Sequence, residues 1–163
     1  MVMVDASLVD KTFQLILRGY VATGGAPHYT EVARGLGCTV EEGRQALLDT
    51  MKTPGVAGWL HPGTDIVASV APFYSLASQY RITVDGEQKW YAQCGFEATA
   101  VCWVFPGRTV RVDASCLDCN EPISLVMRDG EIVAVDPAGV IGHLNQPVGW
   151  WLPDRRIEEV AFG

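Results

Sequence analysis

The chain has 163 residues, 48% of them hydrophobic, and a formal net charge of −7. That length suits one domain or two small ones around a sizeable core, and the acidic balance argues against nucleic acid or an anionic membrane as partner, because both are bound largely through Lys and Arg. No apolar run reaches the roughly 18 residues a membrane helix needs, and the opening MVMVDASLVDK lacks the basic start and apolar centre of a secretion signal, so a cytoplasmic protein is expected.

Residues 7–22 place Leu8, Phe13, Leu15, Ile16 and Val21 at the spacing of an amphipathic helix, with Ser7 or Asp10 as its cap. TGGAPH breaks it. A second helix fits YTEVARGLG, entered at Thr30 and stopped by Gly37; a third fits TVEEGRQALLDTMK, where Thr39 and Glu42 have the spacing of a capping box. After Met51, GVAGWLHPGTDIVASVAP sets two apolar stretches around the turn residues His61 to Thr64, the pattern of a β-hairpin. Three helices and a hairpin make residues 1–75 a winged-helix-like domain. Its third helix sets Arg44 and Lys52 against Glu41, Glu42 and Asp49, so the domain reads as a scaffold and not a DNA reader.

Residues 76–163 are expected to form a second, α+β domain dominated by antiparallel sheet. QYRITVDGEQKWYAQ gives two alternating strands hinged at Asp85-Gly86, and a helix is expected from Gly95 to Val104. RTVRVDAS and ISLVMRDGEIVAVD supply further strands with a hairpin at Asp129-Gly130, and VIGHLNQ is a candidate for one more.

Five cysteines, an odd number, argue against a closed disulfide framework, and their clustering from Cys94 to Cys119 suits a thiol or metal site. Cys94 falls where a strand gives way to a helix, a place where backbone N–H groups and the helix dipole lower a thiol's pKa, with Glu97 one turn in. Core packing is the competing reading of Cys94 and the preferred one for Cys38 and Cys102. Cys116-Leu117-Asp118-Cys119 is a CxxC knuckle in which two thiolates can grip one soft metal ion, so Cys94, Cys116 and Cys119 form a candidate ligand set. A complete four-ligand zinc site is not expected, since there is no second CxxC and His28, His61 and His143 stand in unrelated contexts. Trp90, Trp103, Trp150 and Trp151 are either core or the wall of an apolar substrate pocket, and His143 is either a strand residue or a proton donor beside it.

Several short motifs, in order and spacing, resemble the organomercurial (alkylmercury) lyase family: Ala71-Pro72-Phe73, Tyr80-Arg81-Ile82-Thr83-Val84, Trp90-Tyr91-Ala92-Gln93-Cys94, Glu97, Pro106-Gly107-Arg108, Cys116, Pro122-Ile123-Ser124-Leu125 and Asp136-Pro137-Ala138-Gly139. The resemblance implies a winged-helix-like domain joined to an antiparallel-sheet domain, and an enzyme that breaks carbon–mercury bonds with two cysteines and an aspartate. By motif, Cys94 stands at the first catalytic cysteine and Glu97 at the aspartate. Sulfur is the ligand a soft metal prefers, and a carboxyl group within reach can protonate the departing carbon. Glu97 is one methylene longer than aspartate, and residues 140–163 hold no cysteine, so only Cys116 or Cys119 is left to offer a second thiolate.

The resemblance thus implies a small organic or organometallic substrate and no cofactor, with Cys94 capturing the metal, while these two departures lead to an expectation of slow or absent cleavage. Three alternatives stand beside it: recruitment of the scaffold to another lyase or cyclase reaction, soft-metal binding without turnover, and a winged-helix regulator.

Overall fold

The computed structural model describes residues 6–143. Helix α1 (Ala6–Thr23) buries Val9, Thr12, Ile16 and Tyr20, a stripe at helical spacing that faces the rest of the molecule. Helix α2 (Tyr29–Leu36) is capped two residues earlier than Thr30 suggests. His28 is its cap: its side chain accepts from the Thr30 N–H, while Glu31 Oε2 accepts the His28 N–H at 2.9 Å. Helix α3 (Val40–Lys52) carries the expected box, with Glu42 Oε2 2.9 Å from the Thr39 N–H. A Cβ at Gly43 would collide with Ala33, so only glycine lets α3 approach α2 this closely.

The strands are β1 (Gly58–Leu60), β2 (Val67–Val70), β3 (Phe73–Tyr74), β4 (Tyr80–Val84), β5 (Glu87–Ala92), β6 (Thr109–Ser115), β7 (Pro122–Arg128) and β8 (Glu131–Asp136). They form one antiparallel sheet in the order β1-β2-β3-β5-β4-β6-β7-β8. The hairpin after α3 joins the strands of the second half through β3, whose Tyr74 pairs with Tyr91. Asp85 and Gly86 turn β4 into β5 with φ of 45° and 88°, and Asp129 and Gly130 turn β7 into β8 with 50° and 86°. Positive φ at both central residues is what a two-residue hairpin requires. Residues 140–143 of the further strand candidate are not in a strand, and the rest of it lies outside the described residues.

Helix α4 (Gly95–Ala100) occupies the first part of the expected 95–104 helix. Residues Val101–Trp103 then tighten into a 3-10 turn ahead of Pro106. The core lies between the helices and the sheet. Tyr20 stacks on Phe73 with centroids 5.1 Å apart, and Phe105 meets Trp90 edge-on at 5.0 Å. Among the described residues no helix is long and apolar enough to cross a membrane.

Candidate active site

Strand β5 ends at Ala92, and Gln93 leads to Cys94, the N-cap of α4. Cys94 is extended, with φ −136° and ψ 167°, and its Sγ accepts the Glu97 N–H at 3.4 Å. The sulfur does the work that a Ser or Asp side chain does at other helix starts. Glu97 therefore sits one turn inside the helix, on the same side as the thiol.

Burial dominates the electrostatics of both groups. The Glu97 carboxyl is pushed above the ordinary carboxylate range by burial, against the pull of the backbone N–H groups of Gln93 and Cys94. Its Oε2 is the one buried side-chain oxygen among the described residues with no hydrogen-bond partner. A carboxyl group so placed favours its protonated form. The Cys94 thiol is also pushed up, first by burial and then by the neighbouring Glu97 charge, although the amides of Glu97 and Phe96 oppose this. The lowered thiol pKa expected from the helix start is thus reversed. Two amide hydrogen bonds from a helix of one and a half turns do not offset the loss of solvent.

Two tyrosines complete the surroundings, and neither was among the expected site residues. The Tyr80 ring lies against Gly95, with its Cε1 3.6 Å from where a Cβ would stand, and its hydroxyl is pushed up by burial and by the charge of Cys94. Tyr20, fully buried on α1, has its hydroxyl 2.7 Å from Ser75 Oγ; burial pushes it up to about 12, and the Glu97 charge adds to this. In sequence, Tyr20 is one more apolar position of a helix, and only the packing of α1 on the sheet aims it here.

Cys102 is fully buried, with its Sγ 3.1 Å from the Thr99 carbonyl, and Cys38 is half-buried with its Sγ 3.7 Å from the Ala33 carbonyl. Cys116 and Cys119 lie in the turn between β6 and β7, where the Cys116 thiol is pulled below its ordinary value by the N–H groups of Cys119 and Asp118 and by the Cys119 thiol. Among the described residues no three His, Cys, Asp or Glu side chains are grouped to hold a metal ion, so Cys94 is not gathered with Cys116 and Cys119. Trp90 is a core residue, 2% exposed, whose Nε1 donates to the Tyr20 carbonyl at 2.8 Å. Trp103 is 69% exposed and rests on Gly130. His143 is exposed. Trp150 and Trp151 lie outside the described residues.

The family model described as "MerB: Alkylmercury lyase" matches residues 75–157. Among solved structures, the fold is similar to one described as the crystal structure of the mercury-bound form of MerB2, with a TM-score of 0.60 and 13% sequence identity. The match covers 83% of this chain and 63% of that one. No curated protein matches.

Proposed function

The chain belongs to the alkylmercury lyase family, and on that premise we propose that it captures organomercurials at Cys94 and uses Glu97 as the acid that protonates the carbon leaving mercury. The observation that carries this reading is the Glu97 carboxyl: it is buried, one oxygen is unpartnered, its pKa is raised, and its own N–H is bonded to the Cys94 sulfur. A group that must give up a proton near neutral pH gains from a raised pKa.

Capture replaces the mercury-bound leaving group by the Cys94 sulfur, and the thiol proton departs with that group. In cleavage the Glu97 proton goes to carbon, the carbon–mercury bond breaks to release hydrocarbon, and a second thiolate takes the vacated position on mercury. Among the described residues Cys94, Cys116 and Cys119 do not gather into one three-ligand group. A thiol from solution is the natural donor, and without it the site binds and does not turn over. Cys94, Glu97 and Tyr80 would face the substrate, and Tyr20 with Ser75 backs the carboxyl from the side of α1.

In this reading residues 1–75 form a winged-helix-like scaffold whose helices brace the sheet. Support comes from α3, where Arg44 is engaged by Asp65 at 2.6 Å and by Glu41 at 3.4 Å and is not free to meet phosphate.

The test incubates the reduced protein with an arylmercury compound and a small monothiol, and measures hydrocarbon release alongside Cys94→Ser and Glu97→Gln. Release by the unmodified protein, lost in both variants, supports the reading. Capture without release at any thiol concentration would leave a soft-metal binder, and neither capture nor release would point to a scaffold recruited to other chemistry.

A further inference from the structure

The CxxC turn is not part of the Cys94 site, yet it is built. Cys116 follows the last residue of β6, and the turn is closed by two main-chain bonds, Cys116 N–H to the Glu121 carbonyl at 2.8 Å and Asn120 N–H to the Cys116 carbonyl at 3.0 Å. Asn120 takes the left-handed conformation, φ 61°, that returns the chain into β7. Both thiols thus belong to one tight turn, and the Asp118 and Cys119 amides and the Cys119 thiol pull the Cys116 thiol below its ordinary value. Amides aimed at a sulfur orient it and offset part of the charge of a metal-bound thiolate.

Packing does not account for the pair. Cys119 is exposed, the intervening Leu117 is 81% exposed, and the half-buried Cys116 is not one of the buried core residues. Nor is there a third or fourth ligand among the described residues. Zinc wants four ligands in a tetrahedron, whereas soft d10 ions such as mercuric and cuprous accept two sulfurs.

We propose that Cys116 and Cys119 form a two-sulfur clamp for a soft, two-coordinate cation, separate from Cys94 and independent of its chemistry. Binding of mercuric ion forms two sulfur–mercury bonds and releases the two thiol protons to water, with no change of oxidation state. The register places the clamp at the same end of the sheet as Cys94. Ala92 of β5 pairs with Tyr80, Arg81 pairs with Asp113 of β6, and β5 and β6 run in the same direction. Both strands therefore leave the sheet beside Tyr80, and the clamp and Cys94 share one rim of the sheet.

The test uses Cys94→Ser protein, reduced and handled without oxygen, titrated with mercuric chloride in the presence of excess small monothiol. One ion per chain should be retained, with iodoacetamide labelling of Cys116 and Cys119 blocked. In the Cys94→Ser, Cys116→Ser, Cys119→Ser protein, resistance to the monothiol should fall at least about 100-fold, the usual scale of a lost chelate. Because Cys119 is exposed and Cys116 is only half-buried and outside the core, circular dichroism should show every variant folded. Loss of retention on replacing Cys94 alone would overturn the separate clamp in favour of a shared site. Equal retention with and without Cys116 and Cys119, or one tightly held zinc per chain, would overturn it as well.

Discussion

The indole Nε1 of Trp90 donates to the main-chain carbonyl of Tyr20 at 2.8 Å, which ties β5, just before Cys94, to the end of α1. The same carbonyl accepts the Gly24 N–H at 2.8 Å, so one oxygen anchors both the helix end and the strand. Trp90→Phe removes the donor and part of a ring packed edge-on against Phe105. The expected loss is roughly 2 kcal/mol or more of stability, from the hydrogen bond and the small void together. Urea unfolding checks it, and an unchanged midpoint would show that the bond contributes nothing.

Glu97 should make the protein less stable as pH rises. Its folded pKa lies above the unfolded value, so between the two the folded state holds the proton more tightly than the unfolded chain does. Its contribution is fully present below the unfolded value and is lost as pH climbs through the folded one. Glu97→Gln cannot ionise and escapes this loss, so the variant should be more stable than the parent at pH 8 by about 1–3 kcal/mol, the cost of a buried charge lacking a partner, and closer to it at pH 4. Thermal unfolding at the two pH values gives the comparison. A variant weaker at both would show that the carboxylate is well solvated.

The five thiols should react with iodoacetamide in an order set by burial and nearby amides. Cys116, lowered and at the surface, should lead; Cys94, raised by burial, should follow it; Cys102, fully buried, should be last. Timed mass spectrometry at pH 7.5 ranks them. Cys94 ahead of Cys116 would mean that its helix-start amides outweigh its burial.

Much of this architecture is legible in the sequence because local rules decide it. Asp85-Gly86 and Asp129-Gly130 both form the expected turns, since their positive φ values suit few other residues. The Thr39–Glu42 box sets the start of α3 for a similarly local reason. The pairing of Cys94 with Glu97 is equally local, a matter of three residues at a helix start. What sequence alone does not yield depends on distant packing. The direction of the Cys94 shift follows from how α4 is covered, and Tyr20 and Trp90 meet across 70 positions of chain. Thr30 is the better cap by residue type, yet Glu31 reaches back to the His28 N–H, and His28 caps α2.

Duplex DNA should not bind to α3. Its first turn holds Glu41 and Glu42, and Arg44 is paired with Asp65 of the β1–β2 turn. An electrophoretic shift at physiological salt should show no retarded band, and one that fades steeply as salt rises would reveal a phosphate-binding face.

Capture and cleavage should respond to pH in opposite directions. Capture depends on the Cys94 thiolate, and because burial and the Glu97 charge raise that pKa, its rate should climb as the solution becomes alkaline. Cleavage needs Glu97 protonated, and although burial extends that state above the ordinary carboxylate range, release of hydrocarbon from protein already loaded at Cys94 should fall as pH rises through the Glu97 value. Rapid mixing of preloaded protein with a monothiol isolates the second step. Glu97→Asp keeps the acid but draws it back by one methylene, so its release should be slower, on the order of 100-fold if the distance opens by about 1 Å, with the falling limb retained. Glu97→Gln should capture normally and show no pH-dependent release. A cleavage rate that is flat across pH 5–9, or equal in Glu97→Gln and the parent, would remove Glu97 from the chemistry and leave proton delivery to solvent.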